Sequence, residues 1–287
     1  MENIKSTLIF CEGPHDVALI CLVLSKFFNA QEFSGKFNEL PSPYNSMYQK
    51  ALENHAQLDL SLEMAHKFFL PDRIFTIDDT YVSVFNSGGK NRGDKINGFI
   101  KNLWVMTENS NTFNVSDRGS ISSHKYIFIY DADHNSKETI LNEIYTDFSL
   151  IGTSSWLTEN WEAYPEEPLS IYTQNGEVAA IIWCNRDTGK GTLEDVLCEC
   201  IGDDELFSSA KETIQKLHEW GLNSDNEQRK IAETAKMYKA TLSLMGQRKK
   251  PGGSVNVIIS QSKILNQDNL AKSTTISKMV TFLNGFI

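Results

Sequence analysis

The stretch STLIFCEGPHDVALICLVLSKFF, residues 6–28, changes backbone period within three residues. STLIFC (6–11) is small or apolar throughout, as in a strand buried on both faces. HDVALICLVLSKFF (15–28) then repeats its apolar residues with the period of a helix. Between them lies a short turn containing Gly13 and Pro14. A strand, a tight turn and a helix make the opening of an α/β unit. The same stretch sets one carboxylate, Glu12, at the mouth of the strand and another, Asp16, four residues on.

Residues 29–73 differ in character. NAQEFSGKFNELPSPYNSMYQK (29–50) holds two of the seven prolines and several aromatics, and a helical pattern covers 47–69. We read 29–79 as a segment inserted into the unit. Strand signal returns at TYVSVFN (80–86), stops at SGGKNRG, and gives way to a helix over 94–106 and a polar loop over 107–123. KYIFIYDADHN (125–135) carries a run apolar on both faces, expected of a central parallel strand. A helix over 136–148, a mixed loop over 150–176 and a strand EVAAIIWC (177–184) come next, then NRDTGKGTLEDVL (185–197). Residues 203–246 are helical in period, interrupted near WGLNSDNE, with a basic stretch QRKKPGG (247–253) and a closing helix over 274–286. The expected architecture is an α/β, parallel-sheet core over 1–200, with the 29–79 insertion and a helical C-terminal portion, 201–287, packed on it. Right-handed crossovers make such a sheet parallel.

The 287 residues, 40% hydrophobic and 22% charged, have the balance of an ordinary globular protein. The longest apolar run, VALICLVL (17–24), falls far short of the roughly 20 residues that span a bilayer. The N-terminus lacks the pattern of a secretory signal, and five scattered cysteines make no disulfide framework. A cytoplasmic protein with no membrane association is expected. Cys198 and Cys200 form a CxC pair with no second pair or nearby histidine, so zinc is not expected there. A formal charge of −10 argues against a nonspecific nucleic-acid coat, since phosphate affinity comes mainly from clustered Lys and Arg. Two local basic groups remain as candidate nucleic-acid contacts: Lys90, Arg92 and Lys95, and Lys236, Lys239, Arg248, Lys249 and Lys250. The alternative for each is a solvated face.

Ligands of parallel α/β sheets sit beyond the carboxyl ends of the strands. Three expected strands end in acids: Glu12 after the first, Asp131 and Asp133 after the central one, and Glu194 and Asp195 after the last. Asp131 and Asp133 are two apart, so they share a side if the strand geometry continues. Two carboxylates about 4 Å apart repel by about 4 kcal/mol at an effective dielectric of 20. Such a cluster either keeps protons or holds a cation. Oxygen ligands alone favour Mg²⁺ or Mn²⁺, ions that assist phosphodiester displacement. Plainer readings stay open: Asp133 as a cap of the helix 136–148, and LEDVL as a solvated helix start.

The ordered pair EGPHD (12–16) and YDADHN (130–135) resembles the TOPRIM module shared by topoisomerases, primases, and OLD-family and small stand-alone nucleases. VFNSGGK (84–90) looks like that family's second-strand motif, and TGKGTLEDVL (188–197) is similar to a late acidic segment of its OLD-like members. The resemblance covers roughly 6–28, 80–148 and 177–197. It implies Glu12 as general acid/base or metal ligand, Asp131 and Asp133 as catalytic metal ligands and Glu194 as a second-metal ligand. Asp16 and Asp195 take supporting roles. It implies a Mg²⁺- or Mn²⁺-dependent nuclease acting on DNA or RNA, of the kind found in anti-phage defence or toxin-like systems beside an ATPase partner. No GxxxxGK[ST], topoisomerase tyrosine region or primase zinc domain occurs. The competing class is a non-catalytic, metal- or nucleotide-binding regulatory subunit of the same fold. A haloacid-dehalogenase-type phosphatase also uses DxD, but at its N-terminal strand rather than at mid-chain. The run 17–24 serves a core or a homodimer interface equally well.

Overall fold

The computed structural model describes residues 4–56, 69–89, 93–112, 119–151, 154–164, 170–217 and 221–287. The chain opens with β1 (Ile4–Cys11), α1 (Pro14–Phe27) and the short β2 (Gln31–Glu32). Then come α2 (Tyr44–Ala56), β3 (Arg73–Ile77), β4 (Thr80–Asn86), α3 (Gly93–Thr112), β5 (Ile121–Asp131) and α4 (Lys137–Phe148). A separate ribbon, β6 (Leu150–Ile151) with β7 (Ser154–Ser155), precedes β8 (Glu162–Ala163), β9 (Ile171–Gln174) and β10 (Val178–Trp183). The rest is helical: α5 (Leu193–Ile201), α6 (Glu205–Leu217), α7 (Glu227–Gln247), α8 (Val255–Gln261), α9 (Gln267–Lys272) and α10 (Thr274–Phe286).

Eight strands form one sheet in the order β2-β3-β4-β1-β5-β10-β9-β8. The central four, β4, β1, β5 and β10, are parallel. The outer strands on both sides are antiparallel to their neighbours. Side-chain alternation divides the apolar strands between two layers. Ile9, Ile127, Ile129, Ile181 and Trp183 pack under α1, α5 and the helices that end at Phe286. Leu8, Phe10, Phe85, Phe128 and Ile182 pack under α2, α3 and α4. Both faces of the central strands are therefore covered toward their carboxyl ends, which is why their sequences there are mostly apolar.

The chain leaves β1 toward β4 and leaves β5 toward β10, although β1 and β5 are neighbours. Diverging connections open a crevice beyond the carboxyl ends of that pair, where parallel sheets bind ligands. The fold is thus α/β, as expected, with corrections at the flanks. The segment 29–79 supplies two strands of the sheet, β2 and β3, and the loop expected over 150–176 contains β8 and β9. Their brevity hides them: β2 and β8 have two residues each, too few to show an alternation. Of the helix expected over 47–69, residues 57–68 lie outside the described residues. No helix among the described residues is long and apolar enough to cross a membrane.

Candidate functional site

The ends of β1, β4 and β5 are tied to one another by backbone bonds. Glu12 N donates to Ile129 O at 3.1 Å, Ser87 N to Cys11 O at 2.8 Å, and Gly89 N to Glu12 O at 2.9 Å. Gly88 and Gly89 adopt φ of 71° and 107°, a left-handed turn that suits glycine. The Gly88 amide donates to Asn86 Oδ1 at 2.9 Å. Both glycine amides are therefore engaged within the protein, and they do not form an anion cradle.

With its backbone fixed in this way, Glu12 reaches the neighbouring strand: Asp131 N donates to Glu12 Oε2 at 3.2 Å. Asp131 Oδ1 accepts from Leu193 N, the first residue of α5, at 2.8 Å. Burial, reinforced by the charges of Asp16, Glu12 and Glu194, pushes the Asp131 carboxyl well above the usual range. Glu12 and Asp131 are the two expected ligands that the fold brings side by side.

Asp16 has another task. Its Oδ2 accepts from Gly13 N at 2.8 Å, closing the first turn of α1, and its Oδ1 accepts from Trp183 Nε1 at 2.8 Å. Burial raises its pKa from 3.8 to about 7; the Glu12 and Glu194 charges add to this, while the bonds from Gly13 and Trp183 oppose it. Asp16 anchors α1 to β10.

Glu194 is only 2% exposed. Its Oε2 accepts from Thr192 Oγ1 at 2.8 Å, and its Oε1 lies 3.4 Å from both His15 Nδ1 and Lys239 Nζ. Burial alone would raise this carboxyl; the His15 hydrogen bond, the Lys239 charge and the Thr192 hydroxyl hold it below the usual range. Asp195 Oδ2 accepts from Thr192 N at 2.9 Å and caps α5.

Asp133 stands elsewhere. β5 ends at Asp131, and Asp133 turns left-handed with φ of 53°, so the two-residue alternation no longer applies. Its backbone exchanges two 2.7 Å hydrogen bonds with Gly191. A cleft of about 430 Å³ is lined by Glu12, His15, Asn86, Gly89, Asp131, Glu194 and Lys239, and Asp133 does not line it.

The basic groups separate as well. Lys90 and Arg92 lie outside the described residues. Lys95 is half-buried on α3 and lines a hollow with Tyr48 and Phe99 on the other layer. Lys236 pairs with Glu233 at 2.9 Å, and only Lys239 of its group lines the acidic cleft. Arg248 and Lys249 are exposed and Lys250 half-buried in the turn after α7. No spacing in the sequence signals that His15, Glu194 and Lys239 meet; their contacts exist only in the fold. Among the described residues, no three His, Cys, Asp or Glu side chains form a ready-made metal cage.

Fold and site together define an α/β protein with an acidic cleft where its parallel strands diverge. No protein-family model matches the chain, and no curated protein matches it. Among solved structures, a hypothetical protein from Pyrococcus horikoshii OT3 is similar, with a TM-score of 0.51 and 12% identity over 99% of this chain and 98% of that one. At that identity the likeness is one of fold alone.

Proposed function

We propose that the cleft is the centre of a Mg²⁺- or Mn²⁺-dependent nuclease that cleaves phosphodiester bonds of DNA or RNA. One observation carries the reading: Glu12 and Asp131 meet at the ends of adjacent parallel strands, with Asp131 pushed well above its usual pKa by burial and by the carboxylates of Asp16, Glu12 and Glu194. The donor set fits a hard ion, because Mg²⁺ is usually held by one or two carboxylates with water and substrate phosphate rather than by a closed protein cage. Glu12 and Asp131 would hold it. An ion bound there supplies charge neutralisation and Lewis-acid assistance at a phosphodiester. Asp16 and Asp195 keep the helices α1 and α5 in place behind these ligands. Lys239 sets a cation on the rim where a phosphate would arrive. Asp133 has a loop-holding role in this reading, through its bonds to Gly191. The ordered EGPHD and YDADHN motifs and their TOPRIM resemblance agree with it, and in this reading the protein works in defence beside an ATPase partner.

Labelled single- and double-stranded DNA and RNA, incubated with the protein and Mn²⁺ or Mg²⁺, test the proposal. Cleavage that is lost in Glu12→Gln and in Asp131→Asn, both still folded, supports it. No cleavage with either ion, or equal cleavage by both variants, refutes it. A second reading, a non-catalytic regulatory subunit, draws on the backbone amides that both acids already accept. Ion binding without cleavage under any condition is its mark.

A further inference from the structure

Resting on the nuclease reading, we infer that the cleft takes a single divalent ion, because Lys239 and His15 occupy the carboxylate that a second ion would need. Glu194 is that carboxylate. Both of its oxygens are already met from within the protein: Oε2 by the Thr192 hydroxyl at 2.8 Å, and Oε1 by His15 Nδ1 and Lys239 Nζ, each at 3.4 Å. An incoming ion would have to displace two side chains, the His15 imidazole and the Lys239 ammonium, delivered by two different helices, α1 and α7.

The delivery of Lys239 is built in. On either side of it in α7, Met237 and Thr241 are buried at 3% and 0% exposure, and Thr241 Oγ1 donates to Met237 O at 2.8 Å. That inward face fixes the helix, so the ammonium is presented by a rigid element rather than by a loop. His15 lies in the first turn of α1, whose start is held by the Asp16 and Gly13 contact.

The lining of the cleft points the same way. Glu12, Asp16, Asp131 and Glu194 all face it, and Lys239 stands at Glu194. Lys239 thus places a protein-supplied cation at the second position.

Counting Mn²⁺ ions on the full chain tests this, by isothermal titration and by electron paramagnetic resonance of free Mn²⁺. One ion on the parent protein and two on the double variant His15→Gln with Lys239→Met support the inference, with His15→Gln with Lys239→Gln as a second variant of the same expectation. The Lys239 and His15 side chains are 45% and 27% exposed, so either replacement is expected to fold, and circular dichroism checks it. Two ions on the parent protein, or one on both parent and variants, overturn the inference and leave the nuclease reading standing. No ion on the parent overturns the nuclease reading and the inference with it.

Discussion

Replacing Trp183 with phenylalanine tests the bond that holds α1 to β10. Trp183 is fully buried, and its indole N–H reaches Asp16 Oδ1 at 2.8 Å. The smaller ring forfeits about 2 kcal/mol of burial, independent of pH. The lost hydrogen bond contributes about 1 kcal/mol more when the carboxyl is neutral. A third contribution depends on pH. Burial raises the Asp16 pKa from 3.8 to about 7, so its ionisation removes stability as pH climbs through that value. The Trp183 bond opposes this rise; without it the pKa moves up again, and each unit is worth about 1.4 kcal/mol. The expected loss is therefore about 3 kcal/mol at pH 5.5 and about 4 kcal/mol at pH 8.5. Urea unfolding followed by circular dichroism, in buffer with chelator, measures both values. Adding Asp16→Asn to the variant should erase the difference between the two pH values. An equal loss at both, or a total below about 1 kcal/mol, would refute the reasoning.

Three further outcomes follow from the geometry. Asp131→Asn is expected to lower ion-dependent cleavage on the order of 100-fold or more and Asp133→Asn about 10-fold or less, measured as initial rates; similar losses would place Asp133 in the chemistry after all. Gly89→Ala meets no atom within 4 Å yet keeps a φ of 107°, so it should cost about 1–2 kcal/mol by thermal unfolding from backbone strain alone. His124 is pushed by burial from 6.5 to about 4, so stability present above pH 6.5 is lost as pH falls through 4, by up to about 3 kcal/mol. In His124→Gln the slope of unfolding free energy between pH 7 and pH 4 should flatten, and an unchanged slope would count against that account.

The parts legible in the sequence are those decided locally. β1, β4, β5 and β10 are buried on both faces toward their carboxyl ends, so their sequences there are mostly apolar, and Glu12 and Asp131 stand at the ends of β1 and β5. What escaped depends on distance or on a single torsion. LEDVL taken alone reads as a solvated helix start, and although the resemblance singles out Glu194, nothing in the sequence shows that this carboxylate is buried and met by residues 15 and 239. Asp133 keeps the right spacing for a shared side, but spacing says nothing once the strand ends and φ changes sign. The bond between Trp183 and Asp16 spans 167 positions, and neither residue's neighbours announce it.

β1 lies in the middle of the sheet although it comes first in the chain, and it shares its core with the helix that ends at Phe286. Lys125 Nζ even donates to the carbonyl of Phe286 at 2.7 Å. A topology that joins such remote segments folds slowly, since loop closure over long separations precedes the contacts that reward it. Until then LIFC and its neighbours remain sticky. Shortened versions lacking α10 should consequently collect as insoluble material, and a chaperone's help during synthesis would matter more for this chain than for one built from local pairs.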